Sequence, residues 1–307
     1  MKKPFFYFLS FLAINVSAED EIDPTATDYN SYLQDSLISK QWWDAISYAE
    51  VLTENFPSTP FALEAPFHSA FAFYQLGDLE KANDVLSEYM NQTTAKTHFE
   101  DAIQMKFQIA ENFRNGKRKS LFNPDKKRPG WQRFFEWIPA KEDALNIYDE
   151  VITTVPHSEI AAKSLFGKAL IQLEFEEYKS AIDTLTTLIR RFPKQEFAAE
   201  SYLQVNRIYL EQCKNGGLDL NFLDLAALNL QKFKTAFPRE ERIAEAEKLY
   251  SETEELFAKN LFTIARFYER THKILAAKLY YQKVIEKYPN APAAEMARKK
   301  LVSKNFS

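Results

Sequence analysis

Five times along this chain an aromatic or apolar residue stands directly before a proline, and each time an alanine lies twelve residues upstream of that proline. The pairs are Phe56-Pro57, Val155-Pro156, Phe192-Pro193, Phe237-Pro238 and Tyr288-Pro289, and the alanines are Ala45, Ala144, Ala181, Ala226 and Ala277. Proline cannot donate a backbone hydrogen bond and disfavours helix in the residue before it, so each pair ends a helical segment. The alanine marks the point where two helices cross most closely, since a larger side chain there would force them apart. A further apolar residue follows four positions after the alanine in most units (Tyr148, Leu185, Leu230, Tyr281), and another three later (Leu52, Val151, Leu188, Phe233, Val284). Those are neighbours on one helical face. A fixed offset repeated in this way predicts stacked helical hairpins, each burying its apolar face only against its neighbours. Such solenoids hold partners more often than they transform them.

The fullest copy reads Leu261, Ile264, Ala265, Tyr268, Ala277, Tyr281, Val284 and Pro289, and a second reads Ala70, Phe73, Gly77, Asp78, Ala82 and Leu86. In residue type and spacing these resemble the tetratricopeptide repeat, a helical hairpin of about 34 residues. The expected fold is therefore all-α: a TPR-type α-solenoid of about six helical hairpins over residues 28–307, with a capping C-terminal helix. The spacing predicts hairpins at Tyr29–Lys40 with Trp42–Asn55, Pro60–Leu76 with Leu79–Asn91, Ile160–Phe175 with Glu177–Arg191, and Glu196–Lys214 with Leu223–Ala236. A long helix, Glu240–Arg270, then leads into Lys273–Lys287, and a closing helix runs from Pro292 to Val302.

The third hairpin departs from the plain pattern. Its first helix, His98–Asn115, carries Ile109, Ala110 and Phe113 at the repeat positions, yet the crossing alanine falls at Ala144, about 22 residues late. The insertion, 115–139, is basic in its first part (Lys117, Arg118, Lys119, Lys126, Lys127, Arg128) and aromatic in its second (Trp131, Phe134, Phe135, Trp137). Cations beside amphipathic rings suit docking to a partner or an anionic lipid surface, and they also suit a solvated loop whose rings fold back onto the hairpins.

The first 18 residues have the grammar of a secretory signal peptide: Lys2 and Lys3, an apolar stretch from Pro4 to Val16, and Val16-Ser17-Ala18 before Glu19. An acidic lead-in, 19–27, follows. The expectation is export to a periplasm, with the mature protein beginning at Glu19. A net charge of −4 gives no reason to expect nucleic acid as a partner. The single cysteine, Cys213, permits no intrachain disulfide. His68, His98, His157 and His272 lie far apart in sequence and in different repeats, so no metal site is expected. No nucleophile turn or phosphate-cradling glycine loop is present, and neither catalysis nor a cofactor is expected.

In each hairpin the first helix is expected to line a concave surface. That places Phe67, Phe71 and Tyr74 in the second repeat, and Phe107, Glu111 and Arg114 in the third, on a candidate peptide-binding groove, with inter-helix packing the competing role for each ring.

With the repeats in place, three stretches resemble BamD (also called ComL), a family of outer-membrane β-barrel assembly factors. They are Leu33-Gln34 through Trp42-Trp43-Asp44-Ala45-Ile46, Ala70-Phe71-Ala72-Phe73-Tyr74 through Gly77-Asp78-Leu79, and Leu256-Phe257-Ala258-Lys259-Asn260 with Ala265-Arg266-Phe267-Tyr268. The resemblance implies a non-enzymatic periplasmic scaffold whose partners are proteins of the outer-membrane assembly complex and unfolded outer-membrane protein segments, peripheral at the inner face of that membrane. Two features depart from the family: its members carry a lipid on a cysteine after the signal peptide, where Glu19 stands here, and they usually have five hairpins. The departures suit either a divergent, unlipidated member or the alternative of a periplasmic adaptor for cell-envelope division or peptidoglycan machinery, which the absent lipid cysteine favours.

Overall fold

The computed structural model describes residues 24–92, 97–117, 140–215 and 218–302. Among these, thirteen helices and no strands are found. They are α1 (Ala26–Ile38), α2 (Trp42–Asn55), α3 (Pro60–Leu76), α4 (Leu79–Asn91), α5 (Phe99–Arg114), α6 (Lys141–Thr154), α7 (Glu159–Glu174), α8 (Tyr178–Arg191), α9 (Glu196–Asn215), α10 (Leu220–Ala236), α11 (Arg242–Arg270), α12 (Ile274–Lys287) and α13 (Pro292–Leu301). In chain order they form six helical hairpins closed by α13, as the repeat spacing predicts. The chain divides into two compact units, one ending at Phe99 and the other beginning at Glu100.

The proline signature is a single piece of backbone geometry used five times. The residue before each proline has φ between −133° and −127°, outside the helical range, at Phe56, Val155, Phe192, Phe237 and Tyr288. Its N–H still closes the last helical turn, on Leu52, Val151, Leu188, Phe233 and Val284 in turn, at 2.8–3.1 Å. Its carbonyl then accepts the N–H three residues on, from Thr59, Ser158, Gln195, Glu240 and Ala291, at 3.0–3.2 Å. That is a turn with proline at its second position, where a fixed φ suits it. The five alanines upstream are all at most 1% exposed.

In the first unit, α1 starts three residues earlier than the apolar spacing suggests, because Thr25 and Asp28 form a reciprocal capping box. Helix α3 opens on Pro60 behind Thr59, whose hydroxyl accepts the Ala62 N–H at 3.3 Å, and closes at Gly77, where φ is +82°. Asp78 then caps α4 through the Lys81 N–H. Leu33, Ala45, Ala49, Leu52, Ala70 and Leu86 fill the space between these helices.

In the second unit the long helix α11 serves two layers. Ala246, in its first half, packs with Tyr202, Leu203, Leu230 and Phe233 of α9 and α10. Phe257, Ala258, Phe262 and Ala265, in its second half, pack with Ala277, Tyr281 and Val284 of α12 and with the alanines of α13. Helix α13 has no side-chain cap of its own at Ala291. Instead Glu255 of α11, 9% exposed, accepts the Ala293 N–H at 3.1 Å. A carboxylate at a helix N-terminus satisfies an orphan donor and faces the positive end of the helix dipole. Helix α10 begins at Leu220, three residues before the sequence-based start, because Asp219 caps the Asn221 N–H at 2.9 Å.

Candidate functional site

Phe67, Phe71 and Tyr74 recur at helical spacing on α3, but the fold uses them differently. Phe67 is 8% exposed and stacks on the His98 imidazole, with ring centroids 4.5 Å apart and planes 10° from parallel. Tyr89 lies 5.9 Å from the same ring. The stretch before α5 is held there by Glu64 of α3, which accepts the Tyr89 hydroxyl at 2.6 Å and the Thr97 N–H at 2.9 Å. The Tyr89 oxygen in turn accepts the His98 N–H at 3.1 Å. Phe67 therefore belongs to internal packing, while Phe71, edge-on to Trp42 at 5.9 Å, and Tyr74 stay half-buried and retain surface for a partner.

The same arrangement brings together two histidines that the sequence keeps thirty residues apart. His68 and His98 have ring centroids 5.2 Å apart, because the chain folds back over α3. Burial, then the charge of His98, lowers the His68 pKa to about 4, against a smaller opposing pull from Glu64. Among the described residues no group of three or more His, Cys, Asp or Glu side chains is placed to hold a metal ion.

Phe107 and Arg114 lie in the second unit. Phe107 is half-buried, its ring 6.2 Å from Tyr148 of α6. Arg114 is committed to Glu111 by two hydrogen bonds, Nε to Oε1 at 3.2 Å and Nη2 to Oε2 at 2.5 Å. Those bonds raise the arginine's pKa further. The buried Tyr148 hydroxyl donates to the same Glu111, and burial, then that acceptor, raises its pKa. Gly167 of α7 completes the knot: a Cβ there would stand 2.6 Å from the Tyr148 oxygen and 3.1 Å from Glu111 Oε1. The cation predicted for the groove is thus spent on a structural contact. Nothing in the spacing of Gly167 announces this role, since its partners come from two other helices.

A comparable knot closes the last hairpin. Tyr281 of α12 donates to Glu269 of α11 at 2.6 Å, and Lys300 of α13 reaches the other oxygen at 3.0 Å. Between these knots runs an ionic row unnoticed in the sequence, because it joins charges on different helices. Arg207 of α9 contacts Glu200 at 3.5 Å and Glu245 of α11 at 2.5 Å, and Arg242 contacts Glu200 at 3.4 Å. All four side chains are partly exposed, so the pairs contribute little to stability and leave a charged face that can exchange partners.

Of the insertion, Lys117 is exposed after Gly116 turns the chain with φ at +82°. Arg118, Lys126, Lys127, Trp131, Phe134, Phe135 and Trp137 lie outside the described residues, as does the signal segment. Among the described residues no helix is long and apolar enough to cross a membrane. Cys213 is buried at 3% exposure in the core shared by α9 to α13, and burial raises its pKa.

No curated protein matches the chain. Solved structures similar to it include a tetratricopeptide repeat protein from Parabacteroides merdae, 12% identical, covering 91% of this chain and 99% of that one with a TM-score of 0.36. Another is MamA (MSR-1 C2), 11% identical over 73% of this chain and 97% of that one, TM-score 0.33. A third is a Rap protein complexed with competence and sporulation factor, 12% identical over 90% and 73%, TM-score 0.32. Residues 148–301, half of the 307-residue chain, match the family described as Tetratricopeptide repeat, and the chain belongs to that family.

Proposed function

We propose that this tetratricopeptide repeat protein is a non-enzymatic scaffold of the periplasm that helps assemble outer-membrane β-barrel proteins. As a protein-interaction scaffold it presents first-helix faces with half-exposed rings (Phe71, Tyr74) and exchangeable ion pairs (Glu200, Arg207, Arg242, Glu245). The observation supporting the outer-membrane role is the helix α11, 29 residues long, that leads into α12, together with the three stretches that resemble BamD. Affinity purification from envelope extract tests it. Recovery of the barrel-insertion protein is expected, and recovery of division or wall proteins in its place would overturn the role. In the first unit, Phe71→Ala with Tyr74→Ala should weaken binding of an extended aromatic-ended peptide by about tenfold with the helical melt unchanged. Equal affinities would remove this groove from the account.

One observation favours the second reading, an adaptor for envelope division or peptidoglycan machinery. Cys213, the single cysteine, is packed in the core and is not available for the acylation that BamD proteins carry. Osmotic shock separates the two: an adaptor without a membrane partner is released with the periplasmic fraction, whereas a member of the assembly complex stays with the outer membrane.

A further inference from the structure

The second half of α11 and the closing helix α13 flank an open cleft of about 390 Å³, lined by Phe262, Arg266, Met296, Lys299 and Lys300. Its floor is apolar, with Phe262 9% exposed and Met296 41% exposed. Its rim carries three cations whose commitments differ. Lys300 is held at 3.0 Å by Glu269, which also takes the Tyr281 hydroxyl. Lys299 pairs with Glu295 at 2.7 Å across one helical turn, both side chains well exposed, an arrangement an incoming carboxylate can replace at little cost. Arg266 has no carboxylate within ion-pair distance among the described residues. Its repeat neighbour Glu269 is already taken by Tyr281 and Lys300.

We infer that this cleft binds an acidic protein segment carrying a bulky apolar side chain, the apolar group seated on Phe262 and Met296 and the carboxylates on Arg266 and Lys299. A guanidinium presents parallel N–H donors that match a carboxylate. Convergent charges around an apolar floor give one orientation to a ligand that has both features. Methionine adapts its thioether to side chains of different shape, so the anchor is defined by size and hydrophobicity more than by contour. The cleft is open and of a size for one or two side chains, and its cations stand on a single small patch around Phe262 and Met296. The match of charge and apolar area is therefore to a short acidic segment of a protein, with an anionic lipid surface as the other outcome of the test.

The inference rests on the chain's being a protein-interaction scaffold and not on its outer-membrane role. The two fail separately: envelope capture reports on the role, and peptide binding by the pure protein reports on the cleft. The full chain is titrated against a fluorescein-labelled, end-capped peptide, Glu-Asp-Leu-Phe-Glu-Asp, by anisotropy. Saturable binding that weakens with added salt is expected, with Arg266→Glu weakening it about tenfold and Met296→Ala several-fold, at unchanged melting temperature. Lys299→Glu should follow Arg266→Glu, and Arg266→Lys should retain part of the affinity. Replacing the peptide's acids, or its Leu-Phe pair, with serine should abolish binding. Peptide binding that is absent, or indifferent to these substitutions, overturns the inference. So does Arg266-dependent binding to phosphatidylglycerol vesicles with none to the peptide, which would assign the cleft to lipid.

Discussion

The third and sixth hairpins build the same contact from opposite charge orders. Ala110 and Ala265 hold equivalent repeat positions; the next residue is Glu111 in one and Arg266 in the other, and the residue four on is Arg114 in one and Glu269 in the other. In both, a fully buried tyrosine of the second helix, Tyr148 or Tyr281, donates its hydroxyl to the glutamate. In the third hairpin the arginine closes on that glutamate. In the sixth a lysine from α13 takes its place, and Arg266 is left facing the cleft. Where a repeat carries tyrosine at this position its buried hydroxyl takes an acceptor, but the repeat does not dictate which turn supplies it; Leu185 and Leu230 hold the same position in the fourth and fifth hairpins. Whether a cation is spent or spare is decided by the helix packed alongside.

Acid is the bluntest way to break this comparison, and the first unit answers it through His68. Folded His68 has its pKa lowered to about 4 from 6.5, so between those values the unfolded chain binds the proton more readily. Stability of the first unit should therefore fall as pH drops from 6.5 to 4, by about 3 kcal/mol, and level off below. Chemical denaturation of wild type and His68→Gln across that range checks it, with the slope absent from the variant. In the sixth hairpin, burial alone would raise Glu269, but its bonds to Tyr281 and Lys300 outweigh that and lower its pKa below 4.5. Its contribution is present above about pH 4.5 and should be lost as pH falls through the lowered value, less steeply in Tyr281→Phe.

Gly167→Ala tests the third knot alone. The added Cβ meets the Tyr148 oxygen at 2.6 Å and its ring carbon at 2.7 Å, so the tyrosine must move within a packed site, at a cost of about 2 kcal/mol. Adding Tyr148→Phe should recover part of that loss in a double-mutant cycle. If Gly167→Ala alone stabilises the protein, as alanine ordinarily does in a helix, the knot is not tight.

Removing the acceptors gives a smaller effect that sharpens the contrast. Glu111→Ala orphans a buried hydroxyl and Arg114 together, costing about 2 kcal/mol, and Glu269→Ala about 1 kcal/mol, because Lys300 can turn to water. Equal losses would mean that the partners' different settings do not matter. The least effect lies in the turns: the third hairpin meets its left-handed position with Gly116 and the sixth with His272, at φ +56°. His272→Gly should stabilise by about 0.5 kcal/mol, the strain relieved less the entropy glycine adds to the unfolded chain. Thermal melts would resolve it.

Much of the architecture is legible along the chain because each hairpin's signals are local. A proline, the residue before it and an alanine twelve residues upstream lie within a few helical turns, and all five sets appear in the structure with one backbone geometry. Boundaries move by three residues where a polar cap reaches beyond the apolar pattern, as Thr25 and Asp28 do for α1 and Asp219 does for α10, and by two or fewer elsewhere, as at the end of α1 and the start of α11. Residue type and spacing single out the groove candidates, but not what each side chain does. The spacing places Phe67 beside Phe71 and Tyr74, yet His98 returns over Phe67 and leaves the other two.

By itself the sequence determined the hairpins, their order and their crossing points, since these follow from backbone chemistry and side-chain size over short range. Only the tertiary structure decided which charges are spent. Arg114 is neutralised by Glu111, Glu255 caps a helix two elements away, and Lys300 claims Glu269 and leaves Arg266 without an ion pair among the described residues. Those outcomes depend on distances between helices that no single repeat contains, because a charge takes its partner from whatever packing brings within a few ångströms.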